Sequence, residues 1–345
     1  MTITTTPIWL DCDPGHDDAF AIILAAQHPS FKLLGLSTVH GNASLENVTY
    51  NAHAILTAIG RTDVPVYAGC AKPFMRPAVH APDIHGHSGI DGTDLIPDVT
   101  LPKSPHSNNA IVKMRDALMA TAPQTAALVA TGTLTNVALL FATFPEVAEH
   151  IKVLSIMGGA FGDRPDSAGN VTKTAEFNIY CDPESAQSVF SNPVLNHKVR
   201  LIPLDTSHTV LATAEVRERL LTGGTKLRKM LHDLLIFFAA TYERVFGITA
   251  GPPLHDPIAV AAALPTEEIQ WKWEEVAIRV DCAGDHVGRT VKLRDDGERV
   301  RESSLGGEGK EQACLTKVPK SVNAEDFWKV MLRAVDVSDG KYEWK

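Results

Sequence analysis

No two cysteines in this sequence stand at CxxC spacing, and their total of five (Cys12, Cys70, Cys181, Cys282, Cys314) is odd. That pattern offers neither a disulfide framework nor a thiolate zinc site, and a reducing cytosol is its simplest setting. Basic residues are in deficit: 32 lysines and arginines face 41 aspartates and glutamates, a formal net charge of -9. A nucleic acid or an anionic membrane would call for a basic face, so a small-molecule partner fits better than either. No apolar run reaches the roughly eighteen residues that span a bilayer. The start, from Met1 through Leu10, lacks the basic and long apolar segments of a secretory signal. Internal repeats and low-complexity stretches are also missing. The expectation is a cytoplasmic chain with neither a membrane nor a nucleic-acid partner.

What is present is a large apolar fraction, 44% of 345 residues, enough for one α/β domain over 1–345. Ile8 to Asp13 reads as a short buried strand, Pro14-Gly15 as a turn, and Asp17 to Gln27 as an almost wholly apolar helix. A second unit follows, with a strand at Leu33–Thr38, a helix after Ser44 and Gly60 to end it. Further strands are expected at Ala126–Ala130, before a helix from Thr135, and at Val153–Met157 and Val199–Leu204. Strands alternating with helices imply an open, mainly parallel sheet covered on both faces, with ligands bound beyond the strands' carboxyl ends. Cys70 to Asn109, rich in Pro, His, Gly and Asp, reads as a long ordered binding loop. Amphipathic helices are expected near Leu227–Phe246, extra strands at Trp271–Cys282 and Val287–Leu293, and a last helix at Ala324–Val335.

Asp11-Cys12-Asp13-Pro14-Gly15-His16-Asp17-Asp18 packs four acids into eight residues at the end of the first strand. Strand alternation puts Asp11 and Asp13 on one face, and the turn returns Asp17 and Asp18 to the same edge. One of the last two alone would pass for a helix cap. Four together oppose each other's ionisation unless a cation or proton compensates, and with no Cys or His cluster nearby a hard, oxygen-seeking divalent ion is the natural partner.

This segment closely resembles the signature of the nucleoside hydrolases of the inosine-uridine preferring type. The resemblance extends through His40-Gly41-Asn42, Thr131-Gly132-Thr133-Leu134-Thr135-Asn136, Met157-Gly158-Gly159, Asn170, Ala175-Glu176-Phe177-Asn178 and Pro253-Leu254-His255-Asp256-Pro257, in the family's order. These motifs cover roughly residues 7 to 260; residues 265–345 carry none and are expected to add strands and helices to the same domain. The loop His85-Gly86-His87-Ser88-Gly89-Ile90-Asp91-Gly92 is most similar to the fungal uridine ribohydrolases.

The resemblance implies cleavage of the N-glycosidic bond of ribonucleosides, uridine among them, to ribose and free base. It implies a Ca2+ ion held by Asp13, Asp18, the Thr131 carbonyl and Asp256, with places left for the ribose hydroxyls and one water. Asp13 is then the general base toward that water, which attacks C1′. Asp17, Asn42, Asn170, Glu176 and Asn178 match ribose-binding positions, and each can bond a hydroxyl. Met157 matches a position on the ribose face, although core filler is its plain alternative. His255 corresponds to the histidine that protonates the leaving base, and its presence points to broad or pyrimidine-leaning substrates. His85, Phe177 and Tyr242 complete the expected substrate contacts. Relatives with this histidine imply a homo-oligomer, a dimer or a tetramer.

Two other readings compete. A phosphohydrolase of the haloacid dehalogenase type also places Asp-x-Asp at a strand end, but it wants Gly-Thr next, where this chain has Pro14-Gly15. A non-catalytic nucleoside-binding protein would have no need of both Asp13 and His255.

Overall fold

The structure is a computed structural model that describes residues 5–101, 109–265, 267–293 and 314–344. The first strand, β1 (Thr6–Cys12), alternates between two apolar layers. Ile8, Leu10 and Cys12 enter one cluster while Trp9 enters the other, so the sheet is covered on both faces. The remaining strands are β2 (Phe31–Thr38), β3 (Val66–Ala68), β4 (Ala127–Ala130), β5 (Val153–Met157), β6 (Val199–Ile202), β7 (Trp271–Val280), β8 (Thr290–Leu293) and β9 (Leu315–Val322). They form one nine-stranded sheet in the order β3-β2-β1-β4-β5-β6-β9-β7-β8. All pairings from β3 to β9 are parallel, and β7 runs antiparallel to both β9 and β8. The expected α/β architecture, with its extra C-terminal elements in the same sheet, is therefore the one observed.

The chain leaves β1 for β2 and β3 on one side, then returns to place β4 on the other. A crevice opens where the winding reverses, beyond the carboxyl ends of β1 and β4. Helix α1 (His16–Gln27) starts there. Its positions from His16 to Ala26 are all buried, as a helix that is apolar on every side must be. It packs on α6 (Asp256–Ala261) and on the final helix α7 (Ala324–Ser338). Helix α2 (Leu45–Ala58) begins at Ser44, whose hydroxyl accepts from the Asn47 N–H, and α3 (Thr135–Thr143) follows β4. The single helical turn α4 (Phe177–Cys181) follows the loop after β5.

Several boundaries differ from expectation. The region near 227–246 is one long helix, α5 (Lys226–Phe246), closed by Gly247 in the left-handed conformation with φ 69. The 70–109 stretch holds a helical turn at Pro82–His85, and its part 102–108 lies outside the described residues. The last parallel neighbour of β6 is β9, a strand with no counterpart among the expected ones.

Candidate active site

Three neighbouring strands deliver side chains to one sheet edge: Asp13 follows β1, Thr131 follows β4, and Met157 ends β5. The Asp13 carboxylate is seated rather than free. Its Oδ2 accepts from the Asn42 N–H at 2.8 Å, and its Oδ1 is buried with no hydrogen-bond partner among the described residues. Glycine is required on both flanks, because a Cβ at Gly132 would lie 2.7 Å from Asp13 Oδ1 and one at Gly41 would overlap Oδ2. Asp18 accepts from Thr131 Oγ1 at 2.8 Å and from the Gly15 N–H at 3.0 Å. Asp17 Oδ2 accepts from the N–H groups of His255 and Asp256 at 3.2 and 3.4 Å, which pins the start of α6 against α1.

Asp17, Asp18 and Asp256 each offer an oxygen, and the three oxygens lie within 4.8 Å of one another. Burial, followed by the neighbouring carboxylates, raises Asp13 and Asp256 well above the usual carboxylate range and Asp17 to about 7. The three clustered buried carboxylates of Asp17, Asp18 and Asp256 fit a hard divalent cation, and no thiol or imidazole belongs to the set. Asp13, expected among the ligands, is not one of the three, although its Oδ1 is a buried oxygen left without a partner among the described residues. Two placements go beyond the sequence reading. Asp17, expected at the sugar, also belongs to the carboxylate cluster. Asp11, the first acid of the signature, does not: it accepts from Ser37 Oγ and Asn136 Nδ2 at 2.5 and 2.7 Å beneath the cluster.

A cavity of about 250 Å³ opens onto this edge. Asp17, Asn42, His85, Thr131, Met157, Asn170, Glu176, Phe177, Asn178, Tyr242, His255 and Asp256 all line it, while Asp13 and Asp18 lie buried next to those residues. The three asparagines fix the backbone of the site. Asn42 Nδ2 donates to the Asp13 carbonyl at 3.1 Å, Asn178 Nδ2 to the Thr131 carbonyl at 2.8 Å, and Asn170 Oδ1 accepts from the Phe177 N–H at 2.8 Å. Glu176 is a cap as well as a lining residue. It accepts from the N–H groups of Asn178 and Ile179 at the start of α4 and from that of Gly159, at 2.8, 3.1 and 2.8 Å. Met157 Sδ lies 3.4 Å from Asn178 Nδ2, so this methionine contacts the polar lining as well as the core.

His255 stands between two hydroxyls, Ser207 Oγ 2.7 Å from Nδ1 and Tyr242 Oη 2.7 Å from Nε2. Burial, then His208, holds its imidazole well below the usual histidine range, and burial raises the Tyr242 phenol, so both are neutral near pH 7. Sequence reasoning missed Ser207, which carries no motif, and Phe238 and Phe246 of α5, which line the cavity beside Tyr242. Phe238, Tyr242 and Phe246 recur at a spacing of four along α5, and that periodicity is the signal that could have found them.

Fold, carboxylate cluster and cavity define a class, and comparison with known proteins shows the family. Residues 8–329 match the profile described as inosine-uridine preferring nucleoside hydrolase, and the chain belongs to that family. It is 36% identical to a uridine nucleosidase of Saccharomyces cerevisiae over 98% of both chains. It is 34% identical to an inosine-uridine preferring nucleoside hydrolase of Leishmania major, over 95% of this chain and 97% of the relative. Among solved structures, a plant nucleoside hydrolase superposes with a TM-score of 0.80 at 26% identity, over 97% of this chain and 99% of the other. The protein is thus a nucleoside hydrolase, an enzyme acting on N-glycosyl compounds.

Proposed function

We propose that the enzyme hydrolyses uridine and other ribonucleosides, with Asp13 as general base and His255, paired with Tyr242, as the source of the leaving-group proton. The observation that carries this reading is the meeting, in one cavity wall, of a seated carboxylate cluster and a hydroxyl–imidazole–hydroxyl chain. Asp13 keeps one oxygen fixed by Asn42 and the other unpaired, which suits a carboxylate that must take a proton from water. Asn42, Asn170, Asn178, Glu176 and Asp17 offer polar atoms to the hydroxyls of a sugar lying over the cluster. Tyr242 and His255 each retain a proton near pH 7; one passed to the base leaves the hydrogen-bonded pair a proton short, which water restores after the base departs, while Ser207 holds the imidazole in place. His85, Phe177 and Phe238 border the space left for the base.

We assign the cation as Ca2+, held by Asp13, Asp18, Asp256 and the Thr131 carbonyl, with Asp17 alongside. When bound it would supply charge compensation for the cluster, acidify water and orient the vicinal hydroxyls of ribose. The pyrimidine leaning rests on His255 and on the likeness to the yeast uridine nucleosidase. A cytoplasmic setting and a homo-oligomeric state belong to the same reading. The five cysteines are free, and no helix among the described residues is long and apolar enough to cross a membrane. Light scattering checks the subunit number.

The deciding experiment incubates purified protein with uridine, cytidine, inosine and 2′-deoxyuridine and measures free base and sugar. Release from uridine is expected to exceed that from deoxyuridine by at least roughly tenfold, since a lost hydroxyl leaves buried partners unpaired. Equal release from both would remove the sugar assignment, and no release from any would remove the function.

A further inference from the structure

His16 is the one residue of the DCDPGHDD segment with a polar side chain that neither the carboxylate cluster nor its hydrogen-bonded support uses. It opens α1, fully buried, with its ring stacked on Phe237 and Phe238 of α5 at centroid distances of 5.1 and 5.2 Å and planes within 3°. Its Nε2 lies 2.7 Å from the Asp91 carbonyl oxygen and its Nδ1 lies 3.2 Å from Nδ1 of His85. A carbonyl only accepts, so His16 Nε2 carries a hydrogen. Pressed against two phenyl rings, and with no carboxylate hydrogen-bonded to it among the described residues, the imidazole is neutral and holds that one proton alone. Its Nδ1 is therefore a bare lone pair. The ring nitrogen facing it must donate, since two lone pairs at 3.2 Å would repel. His85 thus holds its own proton on Nδ1. The His16 backbone N–H also approaches that atom, but at 3.5 Å it stands at the outer limit of a hydrogen bond. His85 lines the cavity, and with Nδ1 committed to His16 its remaining nitrogen, Nε2, is an acceptor.

We propose that His16 is a positioning residue that fixes the tautomer of His85, so that His85 Nε2 accepts a hydrogen bond from an edge N–H of the nucleobase. This rests on the nucleosidase reading above and narrows its substrate class to bases with a ring or amino N–H at that edge. The reverse tautomer would present a donor and select a carbonyl instead. With Tyr242 and His255 able to donate, the base then meets an acceptor and a donor pair in one cavity.

Two measurements test the proposal. Side-chain spectra of protein labelled with nitrogen-15 histidine, with His85 assigned by its loss in His85→Gln, report the tautomer without any substrate. A proton on Nδ1 of His85 and on Nε2 of His16 is expected, and a proton on His85 Nε2 overturns the proposal whatever the activity. The second compares kcat/KM for uridine and N3-methyluridine in the parent and in His16→Phe, which keeps a ring against Phe237 and Phe238. The parent should discriminate against the methylated base by at least roughly tenfold, the worth of one buried hydrogen bond, and His16→Phe should lose most of that ratio. An unchanged ratio in folded His16→Phe means that His16 only fills space, and the proposal falls. Should that variant not fold, the spectra of the unaltered protein decide alone. Absence of turnover on every nucleoside would instead remove the functional reading, leaving the tautomer to the spectra.

Discussion

In the proposed mechanism Asp13 and His255 answer different demands of one reaction, and substitutions at the two should separate them. Asp13→Asn keeps the seat offered by Asn42 but cannot take a proton, so turnover of uridine should fall by roughly 10²–10⁴ with the fold intact. A loss of only a few-fold in steady-state assays would remove Asp13 as the base. His255→Ala should slow uridine by a similar roughly 10²–10⁴ while sparing 4-nitrophenyl riboside, whose leaving group departs without a proton. Equal slowing of both substrates would make His255 a support of the cluster and not a proton source. The buried acids also set a pH dependence. Asp11 and Asp17 move from 3.8 to about 7 on folding, so between those values the folded chain binds protons that the unfolded chain does not. Stability of chelator-treated protein is therefore greatest at the acid end of that window and falls as pH rises through it. Added calcium should raise the melting temperature more at about pH 8 than at about pH 5, because it replaces the missing protons at the cluster. An equal rise at both would mean that no carboxylate at the site exchanges a proton for the ion.

Among the elements, the turns after β2 and β4 matter as much as the residues they shelter. Gly41→Ala places a methyl where the Asp13 carboxylate sits, so it should weaken calcium binding and turnover together, with the circular dichroism spectrum unchanged. Calorimetric titration showing the parent's calcium affinity would contradict the packing argument. The elements that build this seat were legible in the sequence. Ile8 and Leu10 alternate with Trp9, the Pro14-Gly15 turn follows, and α1 is apolar on all sides, so local pattern and tertiary role agree. β9 was not legible, because Leu315–Val322 carries four polar or charged positions and Pro319, and proline speaks against a strand enclosed on both sides. The structure accommodates Pro319 at a break in register, where Lys272 pairs with Ser321 and Trp273 with Pro319. β3 is three residues long, too short to show a period. At the site, the motif-bearing residues could be read off their order along the chain. The Ser207–His255 and His16–His85 contacts could not, since each joins segments far apart in sequence through a tertiary approach that no local pattern encodes.

At the scale of the whole molecule, the sheet is continuous only because β9 lies between β6 and β7. Among the described residues the hairpin of β7 and β8 has no other strand partner in the sheet, and α7, which follows β9, covers α1. Ending the chain after Leu293 should therefore expose α1, leave β6 as an open edge and abolish cooperative unfolding, even though every motif residue remains. A truncated protein that melts in one transition near the parent's temperature would show the C-terminal elements to be dispensable. The same placement fixes an order of events during synthesis. A ribosome releases the acids of the first strand and turn early and β6 well before β9, so the nascent chain carries an unpaired strand edge and a bare helix face until β9 and α7 emerge. The sheet therefore closes late, when β9 fills the gap between β6 and β7.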